Sequence, residues 1–104
     1  MNVKMLKLTT GEELIVNIVR ETGRGVAVKH PLRIHLMKDS AGNVDVGFGR
    51  WSMIMDPEAE VEFLYSGLVA DPVKVLSEVA DSYITQTSGI VLPPTASGKQ
   101  IVLG

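Results

Sequence analysis

Two stretches of alternating apolar side chains, residues 14–20 and 26–37, follow one another and are separated by a tight Thr-Gly-Arg-Gly turn at 22–25. Alternation with a period of two is typical of β-strands, because successive side chains point to opposite faces. The first stretch is apolar on most of both faces, which predicts a central strand. The second is apolar at its even-numbered positions and contains Pro31, which cannot donate a ladder hydrogen bond, so a bulge or an exposed edge is expected there. A hairpin of this length favours a mainly β fold.

Three further strands are predicted, at residues 3–8, 44–55 and 60–65. Within 44–55 the apolar side chains change from even to odd positions near Gly49, and such a change predicts a bulge. The last strand is expected to direct its aromatic side chains inward and its glutamates outward. Side chains expected in the core are Ile18, Ile34, Phe48 and Phe63.

One helix is predicted after the strands. Asp71 is a good N-cap, and Pro72 occupies the first helical position, where its missing N–H costs nothing. Gly89 ends the helix. Apolar residues recur along it at the spacing i, i+3, i+4 and i+7, at Leu76, Val79, Ala80 and Tyr83. A stripe of this kind buries one face of a helix.

The predicted elements describe a small, strongly bent barrel of five strands with one C-terminal α-helix. The chain of 104 residues is expected to be a single domain, which on folding buries roughly two thirds of its unfolded surface. Residues 1–68 are assigned to the barrel, and residues 69–104 to the helix and a tail packed on or beside the barrel.

Composition restricts the classes of function. The chain has no cysteine, hence no disulfide framework and no thiolate nucleophile or metal ligand. Its N-terminus lacks the apolar run of a signal peptide, and no apolar run approaches the ~20 residues that span a bilayer. We therefore expect a cytoplasmic protein without a membrane partner. The net charge of −2 combines an excess of three positive charges in residues 1–55 with an excess of five negative charges in residues 56–104. Such a split arises from a basic face that meets an anion or from unevenly distributed solvated charges.

No catalytic motif is present. His30 and His35 are five residues apart, so in a regular strand they face opposite sides and cannot share a metal. Ser52 and Ser66 have no histidine and acid arranged near them in the sequence. We expect a protein without enzymatic activity, cofactor, metal or small-molecule substrate.

The segment LKLTTGEELIVNIV resembles the first hairpin of the Sm/LSm family, with a strand ending at Leu8, two turn residues, Gly11 and a second amphipathic strand at 14–19. It resembles in particular the Sm-like proteins of T4-like phages and marine metagenomes, in which a helix follows the barrel. The resemblance implies a homo-oligomeric ring, RNA as the ligand, and the cytoplasm of a phage-infected bacterium as the location.

Both RNA-facing loops of that family differ in this chain. Where the family carries Asp-x-x-x-Asn, residues 21–25 read Glu-Thr-Gly-Arg-Gly, and where it carries Arg-Gly, this chain has Asp56-Pro57 or, in another alignment, Ser66-Gly67. This chain therefore lacks the residues that form the uridine pocket in that family. Two hypotheses remain: a ring that binds single-stranded RNA through other basic residues, and a structural or protein-interaction module of phage origin that keeps the barrel without the RNA pocket.

Residues that could contact nucleic acid lie in the basic part of the chain. Trp51 beside Arg50 combines a stacking ring with a cation, as in proteins that hold single-stranded bases. The alternatives are a solvated hairpin turn at Arg24 and a core or inter-subunit position for Trp51. Phosphate binding at the turn also requires Glu60 and Glu62 to point elsewhere. The predicted nucleic-acid contacts are Arg24, Lys29, Arg33, Arg50 and Trp51.

A subunit interface is predicted where apolar side chains occupy both faces of the fourth and fifth strands. An outward apolar side chain has no explanation in a monomer, whereas edge strands of a ring are paired and covered. The predicted interface residues are Met53, Ile54, Met55, Leu64 and Tyr65.

Overall fold

The structure is a computed structural model and describes residues 1–88. Within this range the chain is mainly β with one C-terminal helix, as predicted. The predicted helix end at Gly89 and the expected tail of residues 90–104 lie outside the described residues. The elements are β1 Val3–Lys7, β2 Glu13–Glu21, β3 Gly25–Lys38, β4 Val44–Arg50, β5 Val61–Leu64, a short 3₁₀ helix Tyr65–Gly67, β6 Val73–Lys74 and α1 Ser77–Thr87.

The described strands form one antiparallel sheet of six strands, which is not closed. The strand order is β4-β3-β2-β1-β6, and β5 pairs with the first part of β3. After β5 the chain crosses to the end of β1, where Leu68 pairs with Leu8. The amide of Val69 donates to the Lys7 carbonyl at 3.0 Å, which fixes this crossing. The sheet thus curves without closing into a barrel.

The expected bulge at Pro31 is confirmed. Lys29 pairs with Asn17 and Leu32 pairs with Ile15, so β3 has an extra residue between these two pairs. His30 takes up the difference with a positive φ of 53°, a left-handed conformation that is uncommon for a residue other than glycine.

This bulge divides the even-numbered side chains of β3 between the two faces of the sheet. Val26 and Val28, before the bulge, pack in a first core cluster, whereas Leu32 and Ile34, after it, pack in a second. A regular strand would have kept all four on one face, because side chains alternate with a period of two. One extra residue reverses the alternation.

Two core clusters therefore lie on opposite faces of the sheet. The first contains Phe63 of β5, and the second contains Val79 and Tyr83 of α1. Strand β2 contributes Leu14 and Val16 to the first cluster and Ile15 to the second, as expected of a central strand. Of the side chains predicted to be in the core, Phe63 is buried and the other three are half-buried: Ile18, Ile34 and Phe48.

Strand β4 is shorter than predicted and has no bulge at Gly49. Its pairing with β3 is regular from Val44 to Arg50, and the chain then leaves the sheet. The apparent change of face after Gly49 is the end of the strand. A Cβ at position 49 would lie 2.9 Å from the Nε2 of the exposed His35 ring, so a larger residue there would require that ring to move.

The helix begins at Ser77, six residues after the predicted cap at Asp71. Residues 73–74 instead form β6, which pairs with Lys4 and Met5 of β1. These backbone hydrogen bonds to an otherwise open edge outweigh the local capping signal. Of the predicted apolar stripe, Val79 and Tyr83 are buried, whereas Leu76 is half exposed.

Candidate functional site

The basic turn is held against β5. The Tyr65 amide donates to the Arg24 carbonyl at 2.9 Å, and a Cβ on Gly25 would overlap the Phe63 carbonyl oxygen, so only glycine allows this approach. The Arg24 side chain then reaches Glu62, with Nη2 and Nε at 2.8 and 3.1 Å from Oε1. The Thr22 hydroxyl and the Arg24 guanidinium together lower the pKa of Glu62. The carboxylate is therefore charged and already paired at neutral pH.

Three other basic side chains of β2 and β3 also face glutamates. Arg20 contacts Glu60 at 2.7 Å. Two further pairs are longer: Lys29–Glu58 at 3.7 Å and Arg33–Glu12 at 3.4 Å. The condition that Glu60 and Glu62 point away from the basic residues is thus not met. Phosphate binding at Arg24, Lys29 and Arg33 stays a prediction, and it now requires a phosphate to displace a carboxylate at each position.

The other two predicted nucleic-acid contacts, Arg50 and Trp51, meet at a groove of about 280 Å³. Arg50 Nη2 donates to the Met55 carbonyl at 3.1 Å. The Trp51 ring is half-buried and packs against Phe63 with the ring centroids 5.2 Å apart. Trp51 is therefore in part a core residue, as the alternative interpretation held. The groove is lined on its apolar side by Pro31, Leu32, Trp51, Met55 and Pro57.

Helix α1 packs against the β3 bulge and contributes Gln86 and Thr87 to the lining of this groove. The Tyr83 side chain is fully buried, and its hydroxyl donates to the His30 carbonyl at 2.6 Å, with the Lys29 carbonyl at 3.3 Å. Burial raises the pKa of the Tyr83 phenol, so the hydroxyl keeps its proton and remains a donor. The sequence pattern assigned Tyr83 only to an apolar stripe. The Tyr83 hydroxyl is the signal that could have revealed this contact, because a bulge at Pro31 leaves a backbone carbonyl without a hydrogen-bond donor from the neighbouring strand.

The predicted interface residues differ in exposure. Met53 and Ile54 are 75% and 97% exposed and lie in the segment between β4 and β5, whereas Leu64 and Tyr65 are partly exposed at the end of β5. Met55 is half-buried beside Arg50. A completely exposed isoleucine next to an exposed methionine forms an apolar surface that the described part of the chain does not cover.

Three strands of the described sheet pair with only one neighbour and so carry unpaired backbone groups. Within residues 1–88, β4 and β5 each pair only with β3, and β6 pairs only with β1. Edge strands of this kind can accept a strand from another molecule. A second apolar region, not foreseen from the sequence, includes Leu36 and Met37 at the end of β3.

Within residues 1–88 no group of three or more metal-binding side chains comes together. None of the helices in that part of the chain is long and apolar enough to cross a bilayer. No protein-family model matches the chain, and no curated protein sequence matches it significantly.

Proposed function

We propose that this protein is a non-enzymatic structural module that associates with copies of itself in a ring. The observation that carries the proposal is the exposure of Met53 and Ile54, 75% and 97%. Burial of large apolar side chains is the main favourable term in most protein association. Unlike edges that pair head to tail close into a ring when the rotation permits, and β4 and β5 supply two such edges.

An Sm-like fold is part of the proposal. The turn that carries the resemblance supports it, because Gly11 has a φ of 94° and its amide donates to the Leu8 carbonyl at 2.9 Å. The crossing after β5, which pairs Leu68 with Leu8, also supports it, since it brings the end of a strongly curved sheet towards its beginning. In this interpretation β6 and α1 are additions to the curved sheet.

The ion pairs favour the structural hypothesis over RNA binding. Arg24, Lys29 and Arg33 each have a carboxylate within 4 Å. Neutralising a phosphate releases bound counterions and drives nucleic-acid binding, but a cation that is already paired must first lose its partner. The glutamates thus reduce the gain that these residues offer to RNA.

Light scattering on the full chain tests self-association. We expect a multiple of 11.2 kDa at micromolar concentration, and a smaller species for Ile54→Asp that keeps the circular dichroism spectrum of the parent, because this side chain is 97% exposed within a single chain. Val69→Asp is the matched control, since Val69 is 59% exposed and lies outside the predicted interface. A monomeric parent would contradict the proposal. Equal dissociation of both variants would show that the segment between β4 and β5, which contains Ile54, is not the interface.

A titration with single-stranded RNA at low salt separates the two hypotheses. The structural hypothesis predicts no salt-dependent association. The RNA-binding ring predicts instead that the logarithm of the binding constant falls with the logarithm of the salt concentration, with a slope near −0.7 per neutralised phosphate. It also predicts that binding disappears when Arg24 and Arg50 are both changed to Glu.

A further inference from the structure

An apolar cleft of about 270 Å³ lies between the start of α1 and the face of the sheet that carries the second core cluster. Ile34, Leu36 and Val46 line it on the sheet side, and Leu76 and Val79 line it on the helix side. Val46 and Val79 are buried, whereas Leu36 and Leu76 are 62% and 52% exposed. The cleft is therefore an extension of the second core cluster that the described part of the chain leaves open.

The same chain carries an apolar projection, formed by Met53 and Ile54 between β4 and β5. Ile54 is 97% exposed, so it does not occupy the cleft of its own chain. The backbone beside it is held in place, because Arg50 Nη2 donates to the carbonyl of Met55 at 3.1 Å. A surface that already has its bound conformation loses less entropy on association.

The charges beside the projection and in the cleft are complementary. Arg50 is exposed, and it is the one arginine of residues 1–88 without a carboxylate within 4 Å. Glu13, which lines the cleft, is also exposed and forms no ion pair in that range. Lys74 belongs to the lining too, but it pairs with Lys4 in the register, and its side chain therefore lies on the other face of the sheet. Opposite charges across a contact favour the correct partner and fix its register.

We propose that Met53 and Ile54 of one copy of this chain bind in the apolar cleft of the next copy, with Arg50 facing Glu13. The inference rests on the self-association proposed above and names its acceptor surface. An apolar cavity of about 150 Å³ accommodates benzene, so a cleft of about 270 Å³ has room for both side chains. Because the two surfaces are different parts of one molecule, the contact is head to tail, as a ring requires.

Leu36→Asp tests the cleft by light scattering on the full chain. We expect its mass to fall towards 11.2 kDa, as for Ile54→Asp, with the circular dichroism spectrum of the parent, because Leu36 is 62% exposed. Met37→Asp is the matched control. Met37 is 53% exposed, but successive side chains of a strand point to opposite faces, so this variant should keep the mass of the parent. A fully assembled Leu36→Asp variant, or equal dissociation of both variants, would overturn the proposal.

Charge reversal tests the partner residues independently of the cleft's apolar lining. Arg50→Glu should weaken association, and the second change Glu13→Arg should restore it, because the reversed pair again has opposite charges. Glu21→Arg is the matched control for the second change: Glu21 is also an exposed glutamate of β2, but it does not line the cleft, so it should restore nothing. No restoration by Glu13→Arg, or equal restoration by both, would overturn the contact while the parent remains assembled. A monomeric parent would refute self-association itself, so the two failures are distinguishable.

Discussion

Removing one hydroxyl, with Tyr83→Phe, tests whether α1 stabilises the β3 bulge. The ring keeps its place in the second core cluster, including its edge-to-face contact with Phe48 at 6.3 Å between centroids. What is lost is the hydrogen bond to the His30 carbonyl. His30 has no partner on β2 in the strand register, so no ladder hydrogen bond replaces it.

The magnitude follows from burial. Tyr83 is 0% exposed, but its acceptor belongs to the half-buried His30 and the hydrogen bond is part-buried. The loss therefore lies between the ~0.5–1.5 kcal/mol net value of an ordinary hydrogen bond and the ~1–3 kcal/mol cost of a fully buried acceptor left without a donor. We expect the free energy of unfolding to fall by about 1–2 kcal/mol. For a domain of this size each kcal/mol lowers the melting temperature by roughly 4–8 °C.

Urea unfolding followed by circular dichroism measures this loss, and an unchanged m-value would show that the same surface is exposed on unfolding. Tyr65→Phe is the matched control, because Tyr65 is 38% exposed and its hydroxyl makes no hydrogen bond within the described residues. Its free energy of unfolding should change by less than about 0.5 kcal/mol. A Tyr83→Phe variant as stable as the parent would mean that the bulge carbonyl has another donor, and the inferred role of α1 would be wrong.

Two further predictions concern backbone strain and acid stability. His30 has a φ of 53°, so His30→Gly should be more stable than His30→Ala by about 1–2 kcal/mol in urea unfolding, the reverse of the usual order in strands; equal stabilities would contradict the strain. Asp39 accepts hydrogen bonds from the Asn43 and Ala41 amides, and the Asn43 contacts lower its pKa. Its contribution to stability is complete above the unfolded pKa of about 4 and is lost as the pH falls through the lower folded value. Melting temperatures from pH 6 to pH 2 should therefore decline less for Asp39→Asn than for the parent, whereas Asp81→Asn, an exposed acid without such hydrogen bonds in residues 1–88, should follow the parent.

Local periodicity was sufficient to locate the strands. Alternation indicated β1, β2, β3 and β5 to within two residues at each end, and the apolar character of both faces of β2 identified it as central. The bulge at Pro31 was also accessible, because the missing N–H is a property of one residue. Each of these inferences needs only neighbouring positions in the chain.

Long-range pairing was not accessible in the same way. The segment 73–74 is short and follows a good helix start signal. It forms a strand only because it pairs with the open edge of β1, about 70 residues earlier in the sequence. The reversal of faces after His30 likewise depends on the register between β2 and β3. No local pattern contains that register, so the side chains of β3 were assigned to a single face.

The candidate site shows the same division. The outward glutamates of β5 and the basic residues of β2 and β3 could each be predicted, but not that they meet. The pairing of Ala27 with Glu62 brings the carboxylates near β5 next to the basic hairpin. Arg24 and Glu62, which form a hydrogen bond, are 38 residues apart in the sequence. The sequence left open whether Trp51 is a stacking ring or a core side chain, because its packing on Phe63 depends on the end of β4, which the sequence did not reveal.

The pairing of β5 with β3 also accounts for much of the charge asymmetry of the chain. Arg20, Arg24 and Lys29 belong to the half with excess positive charge, and their partners at 58, 60 and 62 belong to the acidic half. Exposed ion pairs add little to stability, so their main consequence is electrostatic: they reduce the positive potential that would attract an anion. An external polyanion is then no longer needed to explain the split. The apolar surface of Met53 and Ile54 has no comparable partner among the described residues, and for this reason self-association is the stronger hypothesis.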